Sequence, residues 1–158
     1  MFNIGDKVVY PMHGAGIIEA IEEKEILGKK RKYYIMRMPI GDMKVMIPLD
    51  NVGNIGLREV ISLKEVDQVL AVLHDDTSKM PQNWNRRYRA NLDKIKSGDI
   101  YEVASVVRNL MFREKEKGLS TGERKMLSNA KQILISEIVL ARGIEEKDAE
   151  ALINEAVQ

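Results

Sequence analysis

The sequence predicts an α+β chain in two modules: a small antiparallel β-barrel or strongly bent sheet over residues 1–60, then an all-α bundle of about five helices over residues 61–158. Three observations carry that reading. Short apolar runs broken by glycine, proline and aspartate fill the first sixty residues. Beyond residue 60 the apolar positions recur at three- and four-residue spacing. Helix-start and helix-stop residues then bracket each periodic run.

The strands follow in order. "DKVVYP" reads as a strand ending at Pro11, and "MHGAG" as a glycine-punctuated hairpin turn. "IIEAIEEKEIL" runs to Gly28 and "KRKYYIMRMP" to Pro39, and Gly41-Asp42 turns the chain into "MKVMIPL". Alternation in the last run places Val45 and Ile47 on one side and Lys44 and Met46 on the other. Of the methionines in this region, Met36, Met38 and Met43 read mostly as core packing, and Met46 as an edge position.

The helices follow the same logic. Ser62 and Glu65 form a capping box ahead of Val66, Val69, Leu70 and Leu73, and "HDDTSKMP" breaks that helix. A second helix spans roughly 83–96 and stops at Gly98. Asp99 and Glu102 open a third, with Val103, Val106, Val107 and Leu110 on one face, ending at Gly118. Ser120 and Glu123 make a second capping box, followed by Leu127, Ala130, Leu134, Ile138 and Ala141 in register as far as Gly143. "EEKDAEALINEAV" supplies a short last helix.

Composition narrows the function. The chain has no cysteine, which removes disulfides, thiolate metal sites and thiol catalysis. His13 and His74 lack ligand neighbours at metal-site spacing, and "GAG" lacks the spacing of a phosphate loop. Acids interleave with lysines, as in "REKEK", in the manner of solvated helix faces. No enzyme, cofactor or metal is expected. No apolar run reaches membrane-spanning length and no secretory signal is visible, so the expectation is a soluble cytoplasmic protein, and a monomer is expected as well.

One constellation stands out. Between Lys79 and Lys96 lie six lysines and arginines against the single Asp93, in a chain of net charge +1. The only tryptophan, Trp84, sits at the head of this run, followed by Arg86, Arg87, Arg89 and Lys94. Gathered cations bind phosphates by releasing counterions, and an indole at a helix start can stack on a base or wedge at a base step. A lone tryptophan in a small bundle is most often a core residue and an arginine-rich helix face most often merely solvated, while the polar surroundings in "PQNWNRR" favour exposure without deciding it.

The strings "FNIGDKVVYPMHGAGIIEAIE", "NWNRRYRANLDKIKSGD" and "KGLSTGERKMLSNAKQILISEI" together resemble the CarD/CdnL family of bacterial transcription regulators over essentially the whole chain. The first is similar to the RNA-polymerase-interacting domain shared with transcription-repair coupling factors. The resemblance implies a Tudor-like barrel that docks on the RNA polymerase β subunit by edge-strand pairing. Its contacts would come from Lys24, Glu25 and Ile26 and from Lys44, Val45, Met46 and Ile47. Relatives can carry arginine where this chain has Lys24 and Met46, so the bidentate fork is lost at one position and the charge at the other. The resemblance further implies a helical DNA-binding domain. Trp84 would wedge at the upstream edge of the promoter bubble, with Arg86, Arg87, Arg89 and Lys94 on the backbone. The contact with promoter DNA would be weak and largely independent of sequence, and its outcome a stabilised open complex. The alternative is a protein-only adaptor whose basic helix contacts another protein.

Overall fold

A computed structural model describes residues 1–157, and its elements follow the sequence patterns closely. Four strands are those the apolar runs predict: β1 (Lys7–Tyr10), β2 (Gly14–Ile26), β3 (Lys29–Arg37) and β4 (Lys44–Pro48). A 3-10 turn (Leu49–Asn51) and the one-turn helix α1 (Val52–Ile55) lead to a two-residue strand, β5 (Arg58–Glu59), too short to announce itself in a sequence. All pairings are antiparallel, in the order β4-β3-β2-β1-β5. A register shift between Ile18 and Ala20 bends β2. One face of the sheet buries Val8, Ile18, Tyr34, Met36 and Ile47.

The predicted turn at "MHGAG" is shorter than its glycines imply. The chain turns at Pro11–His13, and Gly14 and Gly16 already belong to β2. Both allow close approach, and Gly14 also takes a φ of +110° that favours glycine. A β-carbon on Gly16 would stand 2.7 Å from the Arg37 carbonyl oxygen, and one on Gly14 would stand 2.8 Å from Ser136 Oγ.

Five helices form the second module: α2 (Leu63–His74), α3 (Trp84–Lys96), α4 (Ile100–Glu116), α5 (Thr121–Arg142) and α6 (Glu146–Ala156). The Ser62 capping box is complete, with both reciprocal hydrogen bonds made. Val103, Val106, Val107 and Leu110 are buried as their spacing requires, and they pack with Val66, Val69, Leu73 and the apolar face of α5. The centre of α5 is buried all round, from Ile133 to Ile138, because it lies between the bundle and the sheet.

That position explains two polar residues in the middle of α5. Ser136 Oγ accepts the Ala15 amide of β2 at 2.9 Å. Glu137, fully buried, receives both terminal nitrogens of Arg58 at 2.8 Å and the Ile61 amide at 2.9 Å. Arg58 Nε also donates to the Gly98 carbonyl at 2.8 Å, and Lys7 Nζ to the Leu140 carbonyl at 3.0 Å. Val9, Ala15 and Leu140 fill the space between these bonds. The two modules therefore meet through a satisfied polar joint with an apolar patch beside it.

Candidate nucleic-acid interface

Helix α3 begins at Trp84 because Asn83 caps it, its side-chain oxygen accepting the Arg86 amide at 3.1 Å. Lys94 and Lys96 in the last turn suit the negative end of the helix dipole. The capping geometry leaves the indole at the helix end, 41% exposed. Three contacts hold it. Nε1–H donates to Ser120 Oγ at 2.9 Å, and the ring stacks on Tyr88 with centroids 5.0 Å apart and planes 18° from parallel. It also lies over Gly122, where a β-carbon would come within 3.4 Å of the indole. Trp84 is thus neither a core residue nor a free one: it is braced on one side and open on the other.

Arg86 and Arg89 are exposed and line a shallow groove with Asn85, Ala90 and Asp93, the shared face their spacing predicts. Lys94 is half-buried. Arg87 corrects the sequence expectation. It is 3% exposed, and its guanidinium grips Glu123 through Nε at 2.7 Å and Nη2 at 3.2 Å. Nη1 donates to the Gln82 carbonyl at 2.9 Å. One residue on from Arg86, a side chain points a further 100° round the helix, here into the bundle. Arg87 therefore has no surface left to offer a phosphate. It ties the start of α3 to the start of α5.

The partners in this brace carry little signal in the sequence. Ser120 was legible only as a cap, and it is one, accepting the Glu123 amide at 3.2 Å while also holding the indole. The spacing of Ser120 and Glu123 predicts a capping box. Glu123 lies instead on the stripe of Met126, Ala130 and Leu134, seven and eleven residues ahead of the last two, and is buried with them. A carboxylate in phase with an apolar stripe is the signal that could have revealed it. Burial pushes the Glu123 carboxyl up, and this is the largest single effect. Hydrogen bonds and charge from Arg87, with the Ser120 bonds, outweigh it and hold the group below the usual carboxylate range.

On the sheet, directly opposed residues share a face. The register puts Lys44 and Met46 of β4 on the same face as Lys24 and Ile26 of β2, with Glu25, Val45 and Ile47 on the other. Ile47 is wholly within the core, so its side chain is withdrawn from any partner. Met46, Met43 and Ile26 are exposed, whereas Met36 and Met38 are buried. Strand β4 has a neighbour on one side only, which leaves an open backbone edge. The Lys24–Ile26 segment is separated from it by β3, at the tip of the β2–β3 hairpin.

His13 stands edge-on to Tyr10, and His74 Nδ1 lies 3.2 Å from the Ala156 carbonyl oxygen. Among the described residues no cluster of three or more histidines or carboxylates could hold a metal ion, and no helix is long and apolar enough to cross a membrane.

Comparison with known proteins matches both modules. Residues 2–61 fit the CarD-like/TRCF RID domain family, and residues 68–154 fit the CarD C-terminal domain family. The chain is 49% identical over 147 residues to the putative transcription factor YdeB of Bacillus subtilis strain 168, covering 93% of this chain and 96% of that protein. Two solved structures from Myxococcus xanthus are similar to part of the chain. The 72-residue N-terminal domain of CarD is 37% identical, covering 37% of this chain and 79% of its own, with a TM-score of 0.33. CdnLNt is 44% identical, covering 39% and 87%, with a TM-score of 0.35. With both halves matched in order and a full-length relative at this identity, the chain belongs to the CarD/CdnL family of transcription-factor-like proteins.

Proposed function

We propose that this protein docks on the β subunit of RNA polymerase through its sheet module and stabilises the open promoter complex through Trp84. The observation that carries the reading is the braced, half-open indole at the head of α3, with Arg86 and Arg89 exposed on the turns that follow. A ring fixed by Ser120, Tyr88 and Gly122 loses little freedom on binding, so its contact energy is kept. A wedge that fits the melted junction better than closed duplex shifts the closed-to-open equilibrium by the difference in affinity. A stacking contact of about 1–3 kcal/mol shifts it roughly five- to 150-fold.

Docking supplies the effective concentration that lets so small a basic patch act. The open edge of β4 suits strand addition by a polymerase segment, flanked by the exposed side chains of Lys44 and Met46. Lys24 and Ile26, on the same face but two strands away, contribute side chains rather than backbone pairing. No covalent chemistry is involved.

The test is the lifetime of the open complex on a promoter limited by melting, with native protein and Trp84→Ala. The variant is expected to bind polymerase normally and to lose the added lifetime. An unchanged lifetime would sink the wedge and favour a protein-only adaptor.

A further inference from the structure

Loop 75–83 and the carboxyl end of α4 line an open cavity of about 270 Å³ that the Trp84 brace does not use. Its wall carries Lys79, Arg113 and Lys117 against one carboxylate, Glu116, with Phe112 at its edge. None of these three cations forms an ion pair among the described residues. Arg113 Nε is more telling. It is a buried side-chain nitrogen with no hydrogen-bond partner, although buried donors are nearly always paired. Its neighbour Phe112 is 43% exposed. Gln82, which also lines the cavity, is two residues before Trp84, and Lys117 is three residues before Ser120, the indole's hydrogen-bond partner. Two residues of chain span at most about 7 Å, so the rim of the cavity at Gln82 lies within that distance of the Trp84 backbone.

We propose that this cavity is a phosphate site for the polynucleotide strand that Trp84 meets, with the exposed amines of Lys79 and Lys117 and the positive charge of the Arg113 guanidinium as its cations and Phe112 as a platform for an unpaired base. The inference rests on the reading of Trp84 given above. An exposed ring beside gathered cations is the arrangement that single strands use, one contacting the base and the other the backbone. The basic patch then extends past α3 on to α4. It replaces the cation that Arg87 withdraws into the bundle.

A labelled duplex with one single-stranded arm serves as the probe, titrated into the full chain by fluorescence anisotropy between about 50 and 200 mM salt. Arg113→Gln and Lys117→Gln should each weaken binding and lower the slope of log affinity against log salt by about 0.7–0.9. In a 15N-labelled sample the Arg113 Nε–H resonance should move when the probe is added. If Trp84→Ala weakens binding while both cavity variants keep native affinity and slope, the phosphate site is wrong and the Trp84 reading stands. A native chain that fails to bind the probe even at low salt overturns both. An Arg113 resonance that moves with inorganic phosphate but not with the probe overturns the assignment to a strand. Lys117 is exposed, so its variant remains informative if Arg113→Gln perturbs folding.

Discussion

Replacing Glu123 with leucine should destabilise the protein by about 3 kcal/mol, although Glu123 lies at a helix start where most changes are mild. The pair it makes with Arg87 has side-chain exposures of 2% and 4%, so neither charge has water to fall back on. Removing one member of a buried pair costs about 3–5 kcal/mol, chiefly by stranding the other charge. The low end applies here, because the Gln82 carbonyl still receives Arg87 Nη1. In a domain of this size 3 kcal/mol lowers Tm by roughly 6–12 °C. Arg87→Met combined with Glu123→Leu should recover more than half of the loss, since a buried pair replaced by apolar groups of like volume is often close to neutral. Urea unfolding followed by far-UV circular dichroism gives the stabilities. The emission of Trp84, the chain's only tryptophan, reports whether the brace has loosened. A single variant within 1 kcal/mol of native would refute this account, and so would a double variant no more stable than the single.

Two further outcomes follow from the same contacts. The Glu123 carboxyl titrates below its unfolded value, so its contribution is fully present above the unfolded pKa of about 4.3 and is lost as pH falls through the folded value. Native protein should therefore lose stability more steeply below about pH 4.3 than Glu123→Gln does, and equal acid limbs would contradict the shift. At the joint between the modules, Glu137→Gln keeps the volume but gives up the charge that binds Arg58 and the Ile61 amide. A loss of about 1.5–3 kcal/mol is expected, with faster hydrogen exchange at the Ile61 amide. Unaltered exchange there would mean that Glu137 does not hold the joint.

Much of this molecule is local and therefore legible. Ser62–Glu65, Asn83, Asp99 and Ser120 mark helix starts by groups that need only their own next turn, and Val103–Leu110 announce a buried face by spacing alone. The start of α3 at Trp84 follows from the same local chemistry, as does the shared face of Arg86 and Arg89. Tertiary structure decided which of the cations stay at the surface. Arg87 and Arg89 look alike in the chain, yet Glu123, thirty-six residues downstream, draws one of them into the bundle. It also decided that Gly14 and Gly16 serve close packing rather than a turn, and that Glu137 joins the two modules. These outcomes depend on what lies across an interface, and an interface pairs residues whose separation in the chain carries no periodic signal. Amino-acid order by itself determined the four longer strands, the five helices of the second module and the concentration of charge about Trp84. The packing of α5 between sheet and bundle decided how that charge is shared between the surface and the interior.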